Sequence, residues 1–189
     1  MKICCTKSNL IPEEILNETK SFKMDFSFIK NDDIEWIERA DAEKNTDYKQ
    51  LIPYVILQKA DGTLGCYQRH GSEKRLYGLF SCGFGGHVEE SDNQNDLTKT
   101  LECGMLRELG EELSNFDKSQ VELKYLGLIN EKESEVGLVH LGIVFMAVCK
   151  DVYTPKEASE TKGLEWKSKE ELSSLKTELW TKLALELVE

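Results

Sequence analysis

Paired cysteine spacings are missing from this chain of 189 residues. Its six cysteines (Cys4, Cys5, Cys66, Cys82, Cys103, Cys149) form no C-x-x-C pair and no zinc-ligand pattern. That excludes a zinc ribbon and a dithiol redox site, and it predicts reduced thiols. Long apolar runs are missing too. The longest, from Leu138 to Cys149, contains His140 and falls well short of the ~20 residues that cross a bilayer. Met1 and Lys2 lead straight into polar sequence, so no signal peptide is expected. The chain reads as soluble and cytoplasmic, with no membrane partner. Positive charge is also scarce. Against 24 Lys and Arg stand 35 Asp and Glu, a net charge of −11. Such a field repels phosphate backbones and argues against nucleic acid as a partner. An acidic chain that handles phosphates needs local cations, either basic side chains or metal ions.

No repeat or low-complexity linker divides the sequence, so residues 1–189 are read as one domain with an N-terminal elaboration over about 1–50. IPEEILNETK, from Ile11 to Lys20, predicts a short helix with Pro12 near its start. DDIEWIERADAEKN, from Asp32, predicts another. Two apolar runs around Asp61–Gly62 predict a hairpin, and Arg75 to Phe84 adds a strand-like stretch. The strongest helix starts near Asp96 or Thr98 and runs to Leu113. Met105, Leu106, Leu109 and Leu113 are its core-facing stripe. VELKYLGLI and VGLVHLGIVFMAVC predict strands, the second of them central, and the tail carries one or two amphipathic helices. Hairpins dominate, so the expectation is a mixed sheet covered by helices.

Within that helix Glu108, Glu111 and Glu112 share an arc beside the core stripe. Like charges one turn apart cost roughly 0.2–0.5 kcal/mol per pair. Two readings stand: a solvated face, or a site whose cation is missing from the sequence. Gly104 lies one turn before Glu108 and leaves open space there. Arg107 precedes Glu111 by four, which permits an ion pair. Gly83, Gly85 and Gly86 let the backbone approach a ligand closely. Three carboxylates and a glycine carbonyl are the oxygen donors a hard cation such as Mg²⁺ takes.

Gly85-Gly86-His87-Val88-Glu89 followed by Arg107-Glu108-Leu109-x-Glu111-Glu112 resembles the Nudix box, G-x5-E-x7-R-E-U-x-E-E-x-G-U, where U is bulky and apolar. The resemblance implies an α/β/α sandwich around a mixed β-sheet. It also implies hydrolysis of a nucleoside diphosphate linked to another group, with Mg²⁺ or Mn²⁺ as cofactor, and it makes a homodimer a candidate assembly. Residue by residue, Glu108 and Glu112 would be metal ligands, Glu111 a ligand or base, Gly85 a further ligand through its carbonyl, and Arg107 part of the catalytic set. Gly86, Arg69 and Arg75 are candidates for binding substrate. A loop glutamate often joins such a site, and Glu131, Glu133 and Glu135 are on offer as an additional base.

The chain departs from the pattern. Twenty residues lie between Gly86 and Arg107, seven more than the box has. The surplus is placed in Ser91 to Leu97 and expected to form a mobile loop at the mouth of the site. The first glutamate of the box falls on Asp92 counted from the glycine, or on Lys99 counted from the arginine. The closing glycine falls on Ser114, with Asn115 as a candidate left-handed cap. Two other functions stay open: a nucleotide-binding sensor that does not cleave, and an isopentenyl-diphosphate isomerase-like enzyme using Cys82.

Overall fold

Strand β4 (Tyr48–Lys59) is apolar on both faces, and the fold is organised around it. Val55 and Leu57 enter one core and Tyr54 and Ile56 the other, the alternation of a strand covered on both sides. The computed structural model describes residues 1–70, 76–150, 153–156, 161 and 163–189. Before β4 come β1 (Lys2–Lys7), α1 (Glu13–Leu16), β2 (Lys20–Phe22), β3 (Ile34–Glu38) and α2 (Arg39–Ala42). After it come β5 (Leu64–Gln68), β6 (Phe80–Ser81), β7 (Gly83–Gly85), α3 (Leu97–Glu112) and β8 (Val121–Asn130). The chain ends with α4 (Glu135–Val139), β9 (His140–Cys149), β10 (Glu165–Lys167), α5 (Lys169–Ser174) and α6 (Leu179–Leu187).

The strand order is β10-β5-β4-β9-β8-β2, with β1 and β7 also on β4 and β3 on β1. β4 and β9 are parallel from Gln50↔His140 to Lys59↔Cys149, whereas β8 meets β9 antiparallel. The sheet is mixed, as expected. Leu101, Met105 and Leu109 of α3 close one core with Ile143 and Phe145 of β9. Leu183 and Ala184 of α6 close the other with Val144 and Met146. The result is an α/β/α sandwich. The Asp61–Gly62 hairpin also forms, with Gly62 at φ 84° and the Asp61 carboxylate accepting the Thr63 amide at 2.9 Å.

Several local expectations fail. DDIEWIERADAEKN gives β3 first and a helix only in α2, because β1 offers its first half a full backbone ladder from Lys2↔Glu38 to Thr6↔Ile34; tertiary pairing overrides weak helix propensity. IPEEILNETK keeps only the four residues of α1 before the chain turns into β2. The first residues of VGLVHLGIVFMAVC form α4, capped by Ser134 on the Gly137 amide at 3.0 Å. Leu106 is only half-buried, since the core stripe of α3 runs back to Leu97 and Leu101. Asn115 is no left-handed cap: among the described residues Asn95 alone, outside glycine, has positive φ. The helix closes instead through the Leu113 amide on the Leu109 carbonyl at 2.9 Å.

Candidate active site

α3 starts where Asp96 caps the Lys99 amide at 2.9 Å, and its apolar stripe fixes its rotation on the sheet. The next stripe round carries Gly104 and Glu108 toward the glycine strand β7 and the turn after it. A Cβ on Gly86 would lie 2.1 Å from the Glu108 carboxyl carbon, so the carboxylate occupies the space that only glycine leaves. The room beside Gly104 is filled as well: a Cβ there would meet Val88 at 3.0 Å and Asp92 Oδ2 at 3.1 Å.

Arg107 is the hub. Its Nη1 donates to Glu108 Oε1 at 2.8 Å and Glu111 Oε1 at 3.1 Å. Its Nη2 donates to the His87 carbonyl at 2.8 Å and Asp92 Oδ2 at 3.0 Å, and its Nε to Asp92 Oδ1 at 3.2 Å. Asp92 is 3% exposed and also accepts the Glu89 amide at 2.9 Å. Asp92, counted from the glycine, is therefore the acid that faces Arg107, and Lys99 is not. Burial raises the Glu108 carboxyl above its ordinary value, while Arg107 pulls it back. Glu112 goes elsewhere, accepting from Thr161 Oγ1 at 3.2 Å. Among the described residues no three His, Cys, Asp or Glu groups are gathered to hold a metal. The expected trio is thus on one helix but not converged: two of its members lie on the nearest cation, Arg107, which offsets their repulsion.

The seven extra residues do not form a loop over the site. Ser91 and Asp92 end a 3-10 turn, Glu90–Asp92, Leu97 opens α3, and 93–96 form an irregular link between them. Asn31 holds them, through Nδ2 on the Asn95 carbonyl at 3.2 Å and Oδ1 on the Leu97 amide at 2.7 Å. None of residues 91–97 lines the cleft described next. Burying Asp92 against Arg107 draws the segment inward.

A cleft of roughly 880 Å³ opens at β7, lined by Gly83, Gly85 and Gly86 and walled by Glu131, Glu133 and Glu135. The sequence-named Arg69 lines it too; Arg75 lies outside the described residues. Glu131 is not an available base. It is 5% exposed, and its two oxygens take the Glu133 and Ser134 amides and the Ser134 hydroxyl. A Cβ on Gly137 would sit 1.9 Å from its Oε2, so the loop wraps Glu131 closely. Lys49, an isolated cation in an apolar strand, fastens the same loop through Nζ to Gly137 O at 2.8 Å, His140 O at 3.1 Å and Asn130 Oδ1 at 2.9 Å. Burial lowers its ammonium to about 8. Glu133 and Glu135 remain as candidate bases. Cys82 is fully buried and absent from the lining, and burial pushes its thiol up to about 12, which leaves the isomerase reading without an accessible thiol.

Among the lining residues that escaped the sequence reading are Arg39, paired with Glu43 at 2.8 Å, Glu178, and Trp180. His87 lines the cleft with its Nε2 2.9 Å from Gln50 Oε1. Burial pushes its imidazole down to about 4, with Arg39 and His140 acting the same way. Below its ordinary value of 6.5 the unfolded chain binds a proton that the folded chain refuses, so this histidine withdraws stability as pH falls from there toward about 4. His87→Gln is expected to flatten the fall in Tm between about pH 6.5 and 5, above the usual carboxylate range. An unchanged slope in calorimetry contradicts this.

No protein-family model matches the chain. Over 108 residues it is 39% identical to Protein YmaB of Bacillus subtilis (strain 168), which takes in 56% of this chain and 52% of that one; the match therefore spans about half the length of the curated relative. The crystal structure of Tm1382, a candidate Nudix hydrolase, superposes with a TM-score of 0.79 at 29% identity, over 100% of this chain and 98% of that one. The NUDIX domain of Shewanella oneidensis NrtR, complexed with ADP ribose, shares the fold at a TM-score of 0.57 and 16% identity over 80% of this chain and 96% of that one. A bifunctional NMN adenylyltransferase/ADP ribose pyrophosphatase from Francisella tularensis, with AMP and a Mn ion, shares it at 0.55 and 15%, over 74% of this chain and 41% of that one. By its box residues, its fold and its full-length likeness to Tm1382, the chain is similar to the Nudix hydrolases.

Proposed function

We propose that the protein hydrolyses the diphosphate linkage of a nucleoside diphosphate joined to a second group, with Mg²⁺ or Mn²⁺ as cofactor, in the cytoplasm. One observation carries this: an acidic helix stripe clamped by Arg107, with Glu108 seated against Gly86 at the edge of the cleft. ADP ribose, AMP and a Mn ion in the fold neighbours support the same class. Glu108, Glu111, Glu112 and the Gly85 carbonyl are hard oxygen donors, and that donor chemistry fits a hard divalent cation. For them to converge, Glu108 and Glu111 must turn from Arg107. When bound, such ions neutralise phosphate oxygens and acidify water.

The chain's own residues do the rest. Gly86 leaves the substrate a close backbone approach. Arg69 lines the cleft, where a guanidinium pairs with a phosphate. Glu111, with its side chain 59% exposed, is the member to take a proton from water on its carboxylate once it turns from Arg107. Hydrolysis is expected to stop in excess chelator and return with Mg²⁺ or Mn²⁺, and Tm is expected to rise with added cation, as native-state binding requires. The test is a screen of nucleoside diphosphate sugars, dinucleoside polyphosphates, coenzymes and nucleoside triphosphates with Mg²⁺, identifying the phosphorus products. Turnover undiminished by chelator, or no diphosphate cleaved at all, sinks the proposal.

A further inference from the structure

The turn between β8 and β9, residues 131–137, is held at both ends and at its centre. Lys49, 3% exposed, ties the ends. All three of its ammonium donors are used, on Asn130 before the turn and on the Gly137 and His140 carbonyls at its close. Asn130 is fully buried and passes the hold to the N-terminal elaboration. Its Nδ2 donates to the Ile15 carbonyl at 2.9 Å and the Glu18 carbonyl at 2.8 Å. The Lys132 amide adds Thr19 Oγ1 at 3.2 Å, and its ammonium adds the Asn17 carbonyl. At the centre Glu131 sets the opposite charge on the same backbone, accepting the Glu133 and Ser134 amides. A cation on the carbonyls and an anion on the amides fix the peptide dipoles from both sides.

That is a costly way to hold so short a stretch. A charge taken out of water is expensive even when it is paired, and an apolar residue in β4 would need no such partners. The turn so fixed carries Glu133 and Glu135, both exposed and both on the cleft wall. Neither carboxylate has a hydrogen bond or ion pair among the described residues. Free carboxylates on an immobilised backbone are groups held ready, not groups that hold the fold.

We propose that Lys49 is a positioning residue: its ammonium, working with Asn130 and Glu131, keeps Glu133 and Glu135 at a fixed place on the cleft wall. The inference rests on the diphosphate-hydrolase reading and adds a residue that does not itself line the cleft. The proton on Lys49 does the holding. Burial lowers this ammonium to about 8 and Glu131 raises it. Above that pH it becomes an amine with two N–H groups for three acceptors, and the turn is partly released. His140 of β9 is kept neutral chiefly by burial. Thr6, opposite Lys49 on β1, and Asn130 on β8 carry no charge. The same titration adds stability, because the unfolded chain keeps its proton up to the ordinary 10.5 while the folded chain does not. For this group, rate and stability respond to alkali with opposite signs.

The first readout is hydrogen exchange, which needs no substrate. The Glu133, Ser134 and Gly137 amides are expected to be protected at neutral pH. At alkaline pH and in Lys49→Met they are expected to exchange at least ~10-fold faster than the intrinsic pH effect accounts for. The second readout is turnover with Mg²⁺, taking ADP ribose as first probe and the other diphosphates of the screen after it. Lys49→Met is expected to lose at least ~10-fold in kcat with KM little changed, the signature of misplaced groups. Wild-type kcat is expected to fall above about pH 8, a profile that survives if Lys49→Met does not fold. Glu131→Gln removes the charge that raises the lysine and is expected to move that fall to lower pH. Exchange unchanged both in alkali and in folded Lys49→Met overturns the proposal, as does an alkaline fall that stays in place in Glu131→Gln. Loosened amides in a chain that cleaves no diphosphate sink the hydrolase reading alone. Hydrolysis indifferent to Lys49 sinks the positioning role alone.

Discussion

Glu112→Gln is expected to fold as the wild type does and to lose at least ~10²-fold in hydrolysis, about 3 kcal/mol in the barrier, the scale of one strong electrostatic contributor. Glu112 lies one turn beyond Glu108 on α3. Glutamine keeps its length and can still accept from Thr161, the one side-chain hydrogen bond described for this glutamate. It also relieves a like-charge repulsion along the stripe. Only the negative charge is lost, so a drop in rate at unchanged circular dichroism and Tm assigns that charge to chemistry. Leu109, fully buried in the α3 core, is the contrasting control: Leu109→Gln puts an unpaired amide there and is expected to unfold the domain. Near wild-type hydrolysis by Glu112→Gln would return the trio to a solvated face.

Arg107→Ala is expected to cost ~3–5 kcal/mol of stability, because it strands the Asp92 carboxylate in the interior. With Asp92 3% exposed and Arg107 donating to it from both Nε and Nη2, water cannot readily replace the guanidinium. For a chain of this length that corresponds to a fall in Tm of roughly 6–20 °C. The second half of the test is Asp92→Asn in the Arg107→Ala background. Removing the stranded charge is expected to recover part of the loss, a coupling between neighbours that additive sites do not show. If Arg107→Ala lowers Tm by less than about 2 °C, or the double variant is no better than the single, then Asp92 is not an obligate partner and the hub is only a surface ion pair.

The acidic helix is legible in the sequence because its signal is local: a glycine pair, then R-E-U-x-E-E on one stripe. The two cores are legible for the same reason, since the alternation in β4 and β9 is a property of consecutive residues. Asp92 is half-legible. Counting from Gly86 finds it, but only the burial of the carboxylate against Arg107 excludes Lys99. The segment from Ser91 to Leu97 misleads in its placement: 93–96 are the irregular link that polar composition suggests, but Asp92 and Leu97 are buried at either side of them and the segment lies off the cleft. β3 is hidden in a helix-like stretch because its partner, β1, is some thirty residues away, a distance that periodicity cannot sense. Trp180 and Glu178 reach the cleft from α6, about 95 residues after Gly83–Gly86, on a helix with no motif of its own. A single sequence holds no sign of that meeting.

The pairing of β4 with β9 has a consequence for how the protein comes to exist. Gln50 finds His140, 90 positions further along the chain, and parallel strands so far apart pair late, because the loop must close before any contact rewards it. The glycine strand and the acidic helix both lie inside that loop. On a ribosome, α3 emerges well before the strand that completes the sheet beneath it, and α6, which covers the other face, emerges last. A nascent chain stopped before His140 therefore carries every box residue and has no finished surface on which to hold them.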